Sequence, residues 1–367
     1  MADEIKVAFA GARRSRSFFP AFRAHPDTRL VAVCDVDEAV LDEAAAAAGV
    51  SARYTVFERM LDEARPDAVV VATPMQHHAS QAIAALERDI SVLSEVTACV
   101  SMDEARWLVQ ACGRSRGSYM MAENYTYMKP NVLVRALVQA GLFGDPYYAE
   151  GEYLHALPER QRDAQGRPTW RYYWQTGING ATYPTHSLGP CLQWIGERAE
   201  RVSCIGTGRR THPEHAIEDT VLLLGKTASG KLIRTRLDML SQRPHAMTNY
   251  ALQGTKGAYE SARRAGEGNW IWLQDLCDDP NRWVPLESLE AEYLPEIWRD
   301  PPAEALQAGH GGGDYFEVMD FVAAVKGEGA PAVGIHEALD MTLPGLVSQQ
   351  SIERQGEWLE VPDSRLW

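Results

Sequence analysis

Short, nearly continuous apolar runs alternate with amphipathic stretches through the first third of the chain. Ile5 to Ala10 ends in Gly11, a helical stretch follows to about Ala24, and Leu30 to Cys34 ends in Asp35. The alternation continues with helix Glu38 to Ala48, strand Ala68 to Ala72, helix His78 to Arg88, strand Ile90 to Leu93, helix Met102 to Gly113 and strand Ser118 to Ala122. Apolar strands of this length between amphipathic helices predict a parallel sheet covered on both faces. In such sheets ligands bind beyond the carboxyl ends of the strands. That singles out the turn from Gly11 to Ser17, Asp35, Thr73-Pro74, Glu95 and Glu123-Asn124.

After Asn124 the pattern changes. Residues 125–140 read as one more helix, and then alternating segments follow: Tyr147 to Leu154, Val202 to Gly206, Thr220 to Leu224, Lys231 to Leu237 and Tyr250 to Gln253. Ser229-Gly230 and Gly254-Thr-Lys-Gly257 supply turns at their ends. The expected fold is α/β, with a parallel-sheet domain over residues 1–124 and a second α/β domain over 125–367 built on a mainly antiparallel sheet. Two domains also suit 367 residues, more than one ordinary core holds.

Charge narrows the partners. A formal charge of -14 repels phosphate backbones and anionic membrane surfaces, which points away from nucleic acid and membranes and toward a small molecule. The start of the chain has neither the basic segment nor the apolar stretch of a secretory signal, and no run reaches the roughly 18 apolar residues a membrane helix needs. The six cysteines are scattered without a C-x-x-C pair and read as reduced, packed thiols of a cytoplasmic protein. His212-x-x-His215, with Pro213 between, reads as a solvated loop, so no metal is expected.

Dinucleotide folds usually carry G-x-G-x-x-G after the first strand, where glycines permit a tight turn and close approach to pyrophosphate. Here the stretch is Gly11-Ala12-Arg13-Arg14-Ser15-Arg16, and only the first glycine stands. Its context is right: it follows a strand, opens a helix, and Asp35 closes the next strand. Arg13 or Arg14 offers guanidinium donors to phosphate where bare backbone cannot approach. Asp35 is placed to accept from a ribose 2′-hydroxyl and to repel a 2′-phosphate, which favours NAD over NADP.

The stretch from Asn179 to Pro190 sets a phenol, Tyr183, three residues before an imidazole, His186. A helix beginning near Thr182, with Pro184 in its opening turn, would put both on one face. Imidazole is the side chain whose ordinary titration lies nearest neutrality, and a phenol beside it can donate, accept or relay a proton. Aromatic-rich stretches around Trp170, Trp174, Trp270 and Trp272 could stack on a sugar ring or bury a subunit interface.

Taken together, Ala72-Thr-Pro74 with His78, Val92-Leu-Ser-Glu95, the helix holding His186, and Gly309-His-Gly-Gly-Gly-Asp314 resemble the glucose–fructose oxidoreductase, inositol dehydrogenase and rhizopine-catabolism (Gfo/Idh/MocA) family. The resemblance implies an N-terminal Rossmann domain, a C-terminal domain whose open sheet forms subunit interfaces in a homo-oligomer (dimer or tetramer), and hydride transfer between nicotinamide and a sugar carbon. Two departures stand out. Glu95-Val96-Thr97 replaces the usual Glu-Lys-Pro, and Thr182 stands where an aspartate normally precedes the histidine by four residues.

A subgroup with these departures, resembling NAD-dependent α-N-acetylgalactosaminidases and glycoside-oxidising enzymes, is similar to this chain at Met121-Ala-Glu-Asn124, Glu152-Tyr-Leu-His155, Tyr183 to Pro190 and Gly309 to Gly312. That resemblance implies His186, Tyr183 and Glu123 as catalytic. It implies Tyr153, His155, Trp170, Arg171 and His310 as substrate contacts. The cofactor would be held by Gly11, Ala12, Arg13, Arg14, Asp35, Thr73, Pro74, His78, Glu95 and Asn124. The expected activity is NAD-dependent oxidation of a sugar or glycoside hydroxyl at C3. The alternative is an NAD-recycling glycosidase, and a non-catalytic binding protein is a third reading.

Overall fold

The structure, a computed structural model, describes residues 4–155, 160–240, 242–243 and 246–367. The chain divides into two compact units, one of residues 1–127, 301–339 and 364–367, the other of 128–300 and 340–363. The sequence suggests a single boundary after 124. The chain instead returns to the first unit near its end, because helix Gly313–Val325 packs an almost wholly apolar face into it.

In the first unit six parallel strands, β1 (Ile5–Ala10), β2 (Thr28–Cys34), β3 (Ala52–Tyr54), β4 (Ala68–Val71), β5 (Ser91–Ser94) and β6 (Tyr119–Met121), lie in the order β3-β2-β1-β4-β5-β6. Every residue of β4 and β5 is buried, as a parallel strand covered on both faces must be. β3 leaves little mark on the sequence, and the amphipathic helix Phe57–Ala64 that follows was not read from it. The strand is three residues long and partly exposed, so its pattern carries no clear period.

The second unit holds nine further strands: β7 (Pro146–Leu154), β8 (Arg201–Gly206), β9 (Val221–Lys226), β10 (Leu232–Asp238), β11 (Ala246–Gly254), β12 (Gly257–Glu260), β13 (Trp270–Leu273), β14 (Val284–Pro285) and β15 (Leu359–Glu360). Their order is β14-β13-β12-β11-β7-β10-β9-β8-β15, and every pair is antiparallel except β7 with β10. Trp270 and Trp272, read from sequence as an aromatic stretch, lie on β13. The expected helix over 125–140 is a 3-10 turn, Asn124–Tyr127, followed by helix Lys129–Gln139. All six cysteines are free thiols. Among the described residues no helix is long and apolar enough to cross a membrane.

Helix Thr185–Ile195 lies against β7 and is buried along nearly its whole length. It starts at Thr185 rather than near Thr182, because Pro184 occupies the cap position. Tyr183 therefore precedes the helix instead of sharing its face with His186. The strand and helix touch through Gly151, where a Cβ would sit 2.1 Å from the Ser187 carbonyl oxygen. A strand glycine at such an approach is there to let two backbones meet. Gly151→Ala should destabilise the protein by about 1–3 kcal/mol, the range for overpacking a closed contact. Urea unfolding measures this, and a variant as stable as the parent would show that the contact yields easily.

Candidate active site

In the first unit a cluster of candidate residues forms at the carboxyl ends of β1, β2, β4 and β5. Gly11 follows β1 with φ +82°, and a Cβ there would lie 2.2 Å from the Ala72 carbonyl oxygen. Only glycine satisfies both constraints. The Ala12 N–H donates to Asp35 Oδ2 at 2.8 Å and the Asp37 N–H to Oδ1 at 3.0 Å, so the acid that closes β2 also fixes the turn after β1. Beside it is a cavity of about 230 Å³ whose lining includes Gly11, Asp35, Val36, Thr73, Pro74 and His77. A Cβ-free turn, a cavity at strand ends and an acid at the second strand's end fit a dinucleotide.

The two arginines of this turn differ. Arg13 is largely exposed and pairs with Asp37 at 3.1 Å. Arg14 turns inward: its guanidinium pairs with Glu95, donates to Ser17 Oγ at 2.7 Å, and lies 3.6 Å from Asp314 Oδ2. Burial alone would lower its pKa, but the carboxylates of Glu95 and Asp314 outweigh that and raise it. Its donors are thus already engaged by protein groups.

Asn124 Nδ2 donates to Asp314 Oδ1 at 2.9 Å, and His310 Nδ1 lies 2.8 Å from the same oxygen. That second contact is a hydrogen bond only with the proton on Nδ1, which leaves Nε2 as the lone-pair nitrogen. Burial pushes Asp314 upward, but His310, Arg14 and Asn124 together hold it below the usual carboxylate range. His310 has φ +55°, uncommon outside glycine and consistent with a functional position. Glu123 is fully buried, and its Oε1 accepts the Tyr125 N–H at 3.3 Å. Thr73 Oγ1 donates to Gln81 Oε1 at 2.8 Å.

His78 is buried with Nδ1 2.9 Å from the Thr97 carbonyl and Nε2 2.8 Å from the Thr73 carbonyl. It braces two loops from below the cavity. Burial lowers its pKa while both carbonyls pull the other way. Burial prevails, so its pKa lies below the ordinary imidazole value.

A separate cluster lies within the second unit. Tyr153 lies near the end of β7, and its ring centre is 5.5 Å from that of His155, 5.7 Å from Tyr183 and 5.3 Å from His186. Tyr183 and His186 are 5.2 Å apart and nearly perpendicular. Tyr250 donates its hydroxyl to the His186 carbonyl at 2.5 Å, and the His155 N–H donates to the Asp238 carbonyl at 2.8 Å. Thr182, in the usual aspartate position, donates to the Gln175 carbonyl at 3.1 Å. Two phenols and two imidazoles therefore gather where β7 meets the start of the helix. Trp170 and Arg171 form a separate cation–π pair at 4.4 Å, with Arg171 donating to Gln175 at 2.8 Å.

Residues 5–123 match the model of the oxidoreductase family with an NAD-binding Rossmann fold, and residues 132–260 match the GFO/IDH/MocA C-terminal domain. The chain belongs to the Gfo/Idh/MocA oxidoreductases, enzymes with NAD as cofactor. Within that class, residues 207–365 match the C-terminal domain of glycosyl hydrolase 109. A glycosyl hydrolase family 109 protein from Shewanella pealeana is 27% identical over 98% of this chain and 85% of its own length. An alpha-N-acetylgalactosaminidase from Shewanella oneidensis is 26% identical over the same shares. Among solved structures, levoglucosan dehydrogenase with NADH and L-sorbose superimposes with a TM-score of 0.84 at 18% identity, covering 98% of this chain and 100% of that one.

Asp314 and Glu317 are the members of the cofactor-side cluster that sequence reasoning did not assign to the site. The signal was present in three acids at three-residue spacing, Asp314, Glu317 and Asp320, on a helix whose other residues are mostly apolar. Glu317 is fully buried, and neither carboxyl oxygen has a hydrogen-bond partner among the described residues. Burial first, then Asp314 and Glu95, push its pKa well above the ordinary 4.5. The folded chain thus keeps a proton that the unfolded chain releases above that pH. Stability from this group is complete below pH 4.5 and falls by about 1.4 kcal/mol per pH unit as pH rises. In Glu317→Gln the loss should vanish, so urea midpoints measured between about pH 5 and 8 should fall less steeply than the parent's. Parallel slopes would mean the carboxyl ionises in the fold.

Proposed function

We propose that this enzyme oxidises a secondary ring hydroxyl of a sugar or glycoside, at C3 of a hexopyranoside, with His186 as base. The observation that carries this is the gathering of Tyr153, Tyr183 and His186 within 5.2–5.7 Å of one another. NAD, held through the Gly11 turn and Asp35 with Thr73 and Pro74 beside them, supplies the hydride acceptor when bound. His186 accepts the hydroxyl proton as the carbon loses its hydride, so the carbon becomes a ketone and both departing species have a destination. Tyr183, set nearly perpendicular to the imidazole, orients the hydroxyl or relays its proton. Tyr153, His155, Trp170, Arg171 and His310 contact the sugar or the group attached to it.

A second reading is favoured by the glycosyl hydrolase 109 match and by the relative named alpha-N-acetylgalactosaminidase. The ketone acidifies the neighbouring C2 proton, and Glu123 or Tyr153 removes it. The aglycone then leaves, water adds to the resulting double bond, and return of the hydride restores the alcohol. The net reaction is hydrolysis with cofactor recycled.

Incubating the protein with a panel of glycosides while following nicotinamide absorbance and released aglycone separates the two. Reduction without release supports the dehydrogenase, and release without net reduction supports the glycosidase. Silence in both, with NAD bound, leaves a non-catalytic protein. His186→Ala should lower turnover by about a hundredfold or more, the worth of a positioned base, while NAD affinity by direct titration stays unchanged. Retained turnover would remove this histidine from the chemistry.

A further inference from the structure

The connection between β8 and β9 carries His212-Pro213-Glu214-His215, a segment that reads from sequence as solvated. In the structure His215 is only 6% exposed, and its ring packs on Tyr172 at 5.1 Å. Its N–H donates to the His212 carbonyl at 3.1 Å, closing a turn that brings the two imidazole centres to 5.9 Å. One ring nitrogen from each histidine and one Glu214 carboxylate oxygen lie within 4.8 Å of one another.

Two of these nitrogens are anomalous. His212 Nε2 and His215 Nδ1 are buried and have no hydrogen-bond partner among the described residues. Polar atoms withdrawn from water this way are normally satisfied, because the lost hydration is otherwise uncompensated. Meanwhile His212 Nδ1 lies 3.2 Å from Glu214 Oε1. At that separation the nitrogen and the carboxylate oxygen can be neighbouring ligands of one ion.

We propose that His212, His215 and Glu214 form a binding site for a divalent cation of borderline softness, zinc by preference. Two imidazoles and a carboxylate suit zinc, with a water completing four-coordination. Calcium and magnesium prefer all-oxygen sets. The nearby positive charge is Arg162, whose guanidinium lies over the Tyr172 ring at 5.0 Å, and the Glu214 carboxylate offsets it. The Ala216 and Ile217 N–H groups both donate to the Thr176 carbonyl, so an ion here would fasten this connection to the segment after helix Trp170–Trp174. The site is structural, and it stands or falls independently of the reaction proposed above.

Zinc titration of the chelator-treated full chain, followed by calorimetry, should give one ion per chain. His212→Asn and Glu214→Gln, both at positions open to solvent, should each weaken binding by at least about tenfold while NAD binding persists as a check on folding. In the parent, zinc should also slow protease cleavage within residues 207–220. Absence of stoichiometric zinc binding, affinity unchanged in both variants, or binding without that protection would each overturn the site.

Discussion

The first unit depends on one inward-facing cation. Arg14 lies in the turn after β1, and its guanidinium joins that turn to Glu95 at the end of β5 and to Asp314 at the start of helix Gly313–Val325. Asp314 and Glu95 are largely buried, with side-chain exposures of 1% and 11%. Removing the arginine would leave their charges uncompensated, an effect toward the lower end of about 3–5 kcal/mol because a third of the arginine side chain reaches water. The neighbouring Arg13–Asp37 pair is exposed on both sides and contributes little to stability. Adjacent arginines thus do unlike work: Arg14 holds the scaffold, and Arg13 pairs with Asp37 at the surface.

The same logic orders the rest of that cluster. Asp314 receives Arg14, Asn124 and His310, three partners from three separate stretches of chain. Glu317, one turn further along the helix, has no such partners, and the field of its neighbours leaves a neutral carboxyl as its stable form. Two acids on one helix are driven to opposite protonation states by what faces them. The cofactor-side unit is complete only when the chain returns at residue 301, so the turn after β1 is braced by a helix almost three hundred residues away.

Much of this was legible in the sequence, for identifiable reasons. Parallel strands buried on both faces are continuous apolar runs, and β1, β2, β4 and β5 could be read directly. β3 could not, because three partly exposed residues carry no period. Gly11 and Asp35 were readable from their position at strand ends, and the structure joins them by the Ala12–Asp35 hydrogen bond. Tyr183 and His186 were paired for the wrong geometric reason, since they meet across a proline-capped helix start and not along one face. The inward turn of Arg14 and the buried state of His215 were not readable, because both depend on partners distant in sequence. The role of Tyr153 came through resemblance alone, as strand alternation does not say which ring a side chain will meet.

The loss of the family lysine has a structural counterpart that bears on the chemistry. Val96 and Thr97 are 3% and 1% exposed, and Thr97 donates its hydroxyl to the Cys99 carbonyl at 3.0 Å. This segment is packed as apolar and hydrogen-bonded core, with no place for an ammonium group kept out of water. A base that works without such a cation must begin neutral and tolerate the charge it acquires. On the reading proposed above, His186 would meet the second condition through its surroundings: the rings of Tyr153 and Tyr183 lie 5.3 and 5.2 Å from its own, within the reach at which an aromatic ring attracts a cation. The electrostatic work that a lysine does by lowering the energy of an alkoxide would, on that proposal, be done from the other side of the proton transfer, by favouring the imidazolium that forms.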